Sequence, residues 1–248
     1  MTATATHTFA ATYAGRHRHG QVVKTLGHAV VGGTYPVGAL LPNEEALCRS
    51  LDVSRTALRE AIKVLAAKGL LESRPRVGTW VRPRVGWNML DPDVLAWRCA
   101  TGPDAQFYRH LLELREIIEP AAAALAARSR SPEQLADMEQ AFKAMEDARN
   151  VGEWVAADLS FHNAVLQATN NPLLVPLVAI TSSALESLLS ITARQAGGFN
   201  DALPDHRKVL DAIRDGDPQR ALHRMAVMLS DTRELMQQAD MLDDVAPV

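Results

Sequence analysis

An aspartate and a histidine four positions apart, Asp158 and His162, are the residues best suited to chemistry in this chain. On an α-helix, two side chains with this spacing project from the same face. A carboxylate and an imidazole so placed can bind one divalent cation, although such a pair is more often an ordinary contact at a helix surface. The sequence supplies no nucleophile elbow, phosphate loop or clear general base beside them, which gives little support to an enzyme.

A second set of side chains is suited to binding nucleic acid. In the stretch Asp52–Gly69, Ser54 is a good N-cap residue, and Arg55 and Arg59 share one face of the helix that follows. A different face carries an apolar stripe, made of Leu58, Ala61, Ile62 and Leu65. A short helix with one buried face and arginines in its first turns suits the major groove of DNA. Taken alone, it fits a solvated amphipathic helix equally well.

The charge distribution divides the chain. Between Arg16 and Val85, lysine and arginine number 12 and acidic residues 5, whereas the rest of the chain has 14 basic and 24 acidic residues. A basic N-terminal third on an acidic body indicates a polyanion-binding module joined to something else. The chain has only two cysteines, Cys48 and Cys99, which excludes a disulfide framework and a cysteine-based zinc motif. Because we find no membrane-spanning apolar run and no signal peptide, we expect a cytoplasmic protein.

The segments around the Ser54 helix complete a DNA-binding fold. Helices are expected over about Arg18–Val31 and Glu44–Leu51, the second with Asn43 as its N-cap. Only a tight turn separates the second helix from the Ser54 helix, which makes a helix-turn-helix. A hairpin with a basic tip follows within residues 70–81. The whole is a winged helix, whose wing can reach the phosphates or the minor groove.

The run LPNEEALCRSLDVSRTALREAIKVLAAKGLLESRPRVGTWV resembles the DNA-binding domain of the GntR family of bacterial transcription regulators. The shared features are Leu-Pro before the second helix, Val-Ser-Arg-Thr and Arg-Glu-Ala in the third, and Gly-Leu-Leu before a wing with a late glycine. The resemblance implies operator contacts by Ser54, Arg55, Thr56, Arg59, Arg74, Arg76 and Gly78. Many relatives carry arginine at the position of Glu45, so one DNA contact is expected to be absent here.

Beyond the wing, the periodicity predicts helices alone. Residues 87–97, WNMLDPDVLAW, are rich in large apolar side chains for a linker and predict a short docking helix. One apolar stripe is expected at Phe107, Leu111, Leu114 and Ile118. A capping box at Ser131–Gln134 starts a helix expected to end near Asn150, and one later helix is expected to reach about Arg194.

The fold class is therefore mostly α. We expect an N-terminal winged helix-turn-helix domain and a C-terminal all-α bundle of six or seven helices. The expected boundaries are a disordered lead at 1–15, the DNA-binding domain at 16–85, a linker at 86–103, a helical effector-binding domain at 104–240 and a tail at 241–248.

The helical body resembles the FCD effector domain of the FadR-type subgroup of GntR regulators. In many such domains an aspartate and three histidines hold a divalent metal that helps bind a carboxylate effector. The resemblance places Asp158, His162 and His206 at three of these positions, with Zn²⁺, Mn²⁺ or Ni²⁺ as the metal, and puts Met228 at the fourth. A thioether is a poor ligand for these ions, and His223 lies about 140° around the helix from that position. An open three-ligand site and a buried hydrogen-bonded trio both remain possible.

Arg115 resembles the arginine that pairs with the acid group of the effector, because a guanidinium fork suits a carboxylate. The alternative is a salt bridge within the helix to Glu119. The body is most similar to regulators of sugar-acid catabolism of the galactonate type, which implies an aldonate or a related hydroxy acid as effector.

Together these patterns predict a ligand-responsive transcription regulator. It would repress a sugar-acid or related carboxylate operon and bind a pseudo-palindromic operator as a homodimer. The alternative is a metal-dependent hydrolase or lyase with an accessory basic domain, in which Asp158, His162 and His206 activate water. A third possibility is an acyl-CoA sensor in which this trio has a structural role only.

Overall fold

The structure is a computed structural model, and it describes residues 18–102, 104–174, 177 and 201–238. The expected lead (1–15), the expected tail (241–248) and most of the helix expected to reach Arg194 lie outside the described residues. The chain divides into two compact units, Met1–Gly102 and Pro103–Val248. Among the described helices, none combines the length and the apolar character needed to cross a membrane.

The first unit is the predicted winged helix-turn-helix. Its described elements are α1 (Arg18–Val31), α2 (Glu44–Leu51), α3 (Arg55–Ala67), β1 (Leu71–Arg74), β2 (Gly78–Val81), a 3₁₀ turn (Arg84–Gly86) and α4 (Pro92–Ala100). Asn43 caps α2 by accepting the backbone N–H of Ala46 at 2.9 Å, and Ser54 caps α3 by accepting that of Ala57 at 3.2 Å. Both predicted caps are therefore confirmed, and they fix where each helix of the pair begins.

The core of the first unit forms around α3. All four residues of the predicted stripe are buried, and they pack with apolar side chains of α1 and of the hairpin. Gly69 ends α3 with φ at 78°, the left-handed conformation in which glycine commonly stops a helix. A Cβ added to Gly69 would lie 2.1 Å from the carbonyl oxygen of Gly86, so a larger residue would force the backbone apart.

The wing is a short antiparallel hairpin fixed at its base. The register runs from Leu71 opposite Val81 to Arg74 opposite Gly78. The segment before α2 extends this sheet, because the N–H of Leu41 donates to the carbonyl of Thr79 at 2.8 Å. The wing is therefore hydrogen-bonded on both sides of β2, which holds its basic tip beside α3.

The short helix predicted within residues 87–97 is present as α4, which begins only at Pro92 and extends to Ala100. Its N-cap is Asp91, whose carboxylate accepts the backbone N–H groups of Asp93 and Val94 at 3.0 and 3.3 Å. The indole of Trp97 is buried against α1, where Gly27 leaves room for it. A Cβ on Gly27 would lie 2.4 Å from the ring.

A buried lysine joins the end of α3 to the start of α4. Lys68 Nζ lies 2.7 Å from a carboxylate oxygen of Asp91 and 2.8 Å from one of Asp93. Burial opposes the charge on Lys68, but the two carboxylates outweigh it and hold the pKa of the ammonium above its usual value. The group is therefore a buried ion cluster, in which each charge depends on the others for its solvation.

The second unit is all helix in its described part, with α5 (Ala105–Ser129), α6 (Pro132–Glu146), α7 (Val151–Gln167), α8 (Leu203–Arg214) and α9 (Pro218–Gln238). The capping box between Ser131 and Gln134 is present. The expected end of α6 near Asn150 was wrong by about one turn. Asp147 is its C-cap, whereas Asn150 caps α7 by accepting the N–H of Glu153 at 3.0 Å.

The expected stripe on α5 was only partly right. Of its four residues only Leu111 is fully buried, and the most buried face passes through Tyr108, Leu112, Arg115 and Glu119. Pro120 lies inside the helix, which continues unbroken to Ser129. A hydropathy pattern assigns charged residues to solvent, so it could not anticipate that an arginine and a glutamate would define the inner face.

We expect Lys68→Met to lower the free energy of unfolding of the first unit by about 3 kcal/mol, because it leaves two buried carboxylates without a cation. Denaturant unfolding followed by tryptophan fluorescence measures this, since three of the four tryptophans, Trp80, Trp87 and Trp97, lie in this unit.

Lys63→Met is the matched control. Lys63 is exposed and pairs with the exposed Glu60, so we expect a change within about 0.5 kcal/mol. Equal effects of the two substitutions would show that the Lys68 cluster does not stabilise the junction of α3 and α4.

Candidate functional sites

The outer face of α3 presents the polar residues that the sequence singled out. Arg55, Thr56 and Arg59 are all exposed, on the side of the helix away from its buried stripe. Within the described part of the chain, Arg55 makes neither a hydrogen bond nor an ion pair, so its guanidinium is available to an external acceptor. A capped helix with this division of faces has the form of a helix that enters the major groove.

Arg59 is already bound by a carboxylate from α2. Its Nε donates to the Oε1 and Oε2 atoms of Glu44 at 2.9 and 3.1 Å, and its Nη2 donates to Oε2 at 2.9 Å. The hydrogen bonds hold the pKa of Glu44 below its usual value. Glu44 and Arg59 are 15 positions apart, so this contact depends on the tertiary packing of α2 on α3.

The two wing arginines differ in their surroundings. The guanidinium of Arg74 lies 4.1 Å from the ring centre of Trp80, and its Nε donates to Glu72 at 2.8 Å, so it packs on the hairpin. Arg76 has φ at 66°, a left-handed conformation that is unfavourable for a side chain with a Cβ. It makes no ion pair with any described residue and is exposed at the wing tip, next to the exposed Gly78.

An open groove of about 690 Å³ separates α3 from the wing. Its floor is apolar, with Leu41, Leu47 and Ile62, and its rim carries Arg59 and the wing arginines. Of the side chains predicted to contact DNA, Arg59 of α3 and the two wing arginines line this groove, whereas Arg55 and Thr56 do not. Such a surface can bind the phosphates of a duplex while α3 meets the base edges.

The second unit gathers Asp158, His162 and His206 from two helices. Asp158 and His162 lie on α7 and His206 on α8, and one ligand atom from each falls within 4.8 Å of the others. All three side chains are buried. Two buried atoms of these residues, Asp158 Oδ2 and His206 Nε2, have no hydrogen-bond partner in the part of the chain that the structure describes.

The proton positions on the two imidazoles follow from their partners. His206 Nδ1 lies 2.8 Å from the carbonyl oxygen of Ala202, which can only accept, so Nδ1 carries the proton. Nε2 lies 3.0 Å from Asp158 Oδ1, and this contact is favourable only with a proton or a cation between the two atoms.

His162 is oriented by a charged pair on α5. Its Nδ1 lies 2.7 Å from Glu119 Oε2, and its Nε2 lies 3.3 Å from Arg115 Nη2, which can only donate. Nε2, which is 3.8 Å from Asp158 Oδ2, therefore bears the lone pair. Both histidines thus turn the same nitrogen towards Asp158, with the other held by an oxygen acceptor, as metal-binding histidines usually are.

Arg115 forms the salt bridge within α5 that the sequence left as an alternative. Its Nε donates to Glu119 Oε1 at 2.7 Å, and both residues are buried. Burial favours the neutral form of Glu119, but Arg115 and His162 outweigh it and lower its pKa to about 2. Arg115 Nη1 is buried without a hydrogen-bond partner in the described residues, so the salt bridge leaves a donor for another group.

Asp158 is likewise held ionised inside the unit. Burial opposes its charge, but His162, His206 and Arg115 outweigh it and keep the pKa of Asp158 below its usual value. The two carboxylates and one guanidinium leave one negative charge in a low-dielectric interior, which a protonated imidazole or a bound cation must balance. Such a charge is expensive to bury without a compensating cation.

Neither residue considered for the fourth ligand position is a good ligand. Met228 is buried on α9, and its thioether is a poor donor to the metals expected here. His223 is exposed, in agreement with its rotation away from that face, and it does not join the cluster.

Comparisons with known proteins match both units. The family described as bacterial regulatory proteins, gntR family, matches residues 18–81, and the FCD domain matches residues 110–231. The chain is 35% identical over 221 residues to the galactonate operon transcriptional repressor of Escherichia coli strain K12, covering 87% of this chain and 95% of that protein. It is 28% identical over 226 residues to the Uxu operon transcriptional regulator of the same strain, covering 87% and 85%.

A solved structure has the same fold. Lar, which controls the expression of the Listeria monocytogenes agr system, aligns with a TM-score of 0.65 at 20% identity, covering 90% of this chain and 98% of that chain. The family and the relatives are transcriptional regulators, which confirms that expectation over the alternative of a hydrolase or lyase. The chain therefore belongs to the GntR family of bacterial regulatory proteins, and is a DNA-binding transcriptional regulator with an FCD effector domain.

Proposed function

We propose that this chain represses an operon for the catabolism of a sugar acid or a related hydroxy acid, and that binding of this acid releases it from DNA. The similarity to the galactonate operon repressor supports the class of effector. We further propose a cytoplasmic homodimer on a pseudo-palindromic operator, with residues 16–85 as the DNA-binding domain, 86–103 as the linker and 104–240 as the effector domain.

The observation that carries the proposal is the group of unpartnered buried atoms in the second unit. Asp158, His162 and His206 offer one oxygen and two nitrogens to a common point, a ligand set that suits Zn²⁺, Mn²⁺ or Ni²⁺. Such an ion would reverse the net negative charge of the cluster. When bound, it would supply a Lewis acid to which an effector oxygen could bind.

The same cluster accounts for a carboxylate effector. Arg115 is buried and keeps one free nitrogen, Nη1, beside the side chain of His162. With a divalent cation in place the site has a net positive charge, so a monocarboxylate neutralises it. Glu119 keeps the guanidinium in position by accepting from Nε and Nη2, which leaves Nη1 to the effector.

We expect the chelator-treated wild-type protein to bind one divalent ion per chain. Asp158→Asn should weaken this binding at least tenfold, because it removes a charged ligand without changing the shape of the side chain. Metal content and the shift in unfolding temperature measure this. At an ion concentration about 100 times Kd, the wild type gains about 2.7 kcal/mol. His223→Ala, which removes an exposed histidine, should behave as the wild type, and equal binding by Asp158→Asn would exclude these ligands.

We expect Arg115→Lys to raise at least tenfold the concentration of D-galactonate that releases operator DNA, because a lysine keeps the charge but loses the planar fork. Fluorescence anisotropy of labelled operator measures the release. A coupling of about 1–3 kcal/mol between effector binding and DNA binding changes the operator affinity about 5- to 150-fold. Arg128→Lys, at an exposed position on the same helix, is the control. An unchanged response in Arg115→Lys would reject the role of this arginine.

For the DNA face, we expect Arg55→Ala to weaken operator binding by about 1–3 kcal/mol if Arg55 reads a base. We expect Arg76→Ala to weaken binding to all duplexes alike, and to reduce the salt dependence of binding, if Arg76 contacts phosphate. Gel shifts over a range of salt concentrations separate these effects. Arg220→Ala removes an exposed arginine of the second unit and should leave binding unaltered. Wild-type affinity in both test variants would contradict the assigned face.

A further inference from the structure

The bidentate pair between Glu44 and Arg59 joins the two helices of the helix-turn-helix at the surface assigned to DNA. Three hydrogen bonds of 2.9–3.1 Å connect the carboxylate to Nε and Nη2 of the guanidinium. Both side chains remain accessible, with 43% of Glu44 and 63% of Arg59 exposed. An exposed ion pair contributes little to stability, so its role must be sought in the position it gives to Arg59.

The geometry uses one edge of the guanidinium and leaves the other free. Glu44 occupies the edge formed by Nε and Nη2, and Nη1 takes no part in the pair. The edge formed by Nη1 and Nη2 can donate two parallel hydrogen bonds to O6 and N7 of guanine, the commonest specific contact in the major groove. A carboxylate on the first edge restricts the long arginine side chain to one orientation before DNA arrives.

The charge of Glu44 has a second effect. A carboxylate at the DNA surface repels phosphates, and it offsets the positive charge of Arg59 when no base is there to accept its hydrogen bonds. Specific and arbitrary duplexes carry the same phosphates, so this repulsion weakens binding to both. Specificity is the difference between the two affinities, and it arises because the positioned Arg59 gains hydrogen bonds only from the duplex that offers a guanine.

We propose that Glu44 is a specificity-determining residue, which positions Arg59 for a guanine and disfavours DNA that lacks it. The proposal rests on the DNA face described above. The next residue, Glu45, has the same charge and is more exposed, and it pairs with Arg49 of its own helix at 3.2 Å rather than with Arg59. It therefore provides a control for charge alone.

The experiment compares Glu44→Gln and Glu45→Gln in the full chain. The probes are a duplex that the wild-type protein selects from a random pool and a scrambled duplex of equal length. We expect Glu44→Gln to lower the ratio of specific to non-specific affinity about tenfold or more, within the range of one bidentate base contact. Glu45→Gln should change both affinities by a similar factor and keep the ratio within about threefold, since it alters charge only.

A double-mutant cycle completes the test. In an Arg59→Ala background, Glu44→Gln should leave the ratio unchanged, because the arginine it positions is absent. If Glu44→Gln and Glu45→Gln lower the ratio equally, or if Glu44→Gln keeps its effect without Arg59, the positioning role is wrong. Failure of the wild type to select any duplex would instead overturn the proposed function, so the two failures are distinguishable.

Discussion

The second unit is organised by a requirement that buried charges be paired. Arg115, Glu119 and Asp158 all lie inside an apolar helical bundle, where an isolated charge would cost many kcal/mol. Three helices, α5, α7 and α8, must therefore pack so that these groups and the two histidines meet. The inner face of α5 follows this requirement more closely than its apolar pattern, since Arg115 and Glu119 are buried whereas three of the four residues in the expected stripe are only partly buried.

The same groups make the unit suited to sensing a small anion. Arg115 Nη1 and Asp158 Oδ2 have no hydrogen-bond partner among the described residues. Arg115 Nη1 can therefore donate to a carboxylate, and Asp158 Oδ2 can bind a cation. A cation and a carboxylate bound together would complete both. The Ala202 carbonyl and Glu119 hold the histidine rings in one orientation, so a metal would find nitrogens already aligned.

In the first unit, α3 has one apolar face that is buried and another face that exposes arginines. Its buried stripe fixes the rotation of the helix, and this rotation alone decides that Arg55 and Arg59 are outside. Lys68 and Gly69 then end the helix with little freedom, because one is tied to Asp91 and the other lies against the backbone of Gly86. The recognition surface is thus positioned from both ends of a helix only 13 residues long.

Much of this arrangement follows from local patterns. The bounds of α1 and α2, the caps at Asn43 and Ser54 and the docking helix could be read from the sequence, because caps and periodicity act over a few residues. The end of α6 could not be read in this way, because several polar residues before Asn150 could each end the helix. His206 was added to the candidate metal ligands through the resemblance to a known family. The spacing of residues in the sequence connects only Asp158 and His162.

By itself, therefore, the sequence determined the fold class, the position of the recognition helix and the residue types at both sites. Tertiary structure alone decided which charges meet. Glu44 reaches Arg59 across 15 positions and Arg115 reaches His162 across 47, and no helical periodicity connects residues so far apart. The physical reason is that such pairs form by the packing of helices on one another, which depends on whole buried faces rather than on the spacing of any two residues.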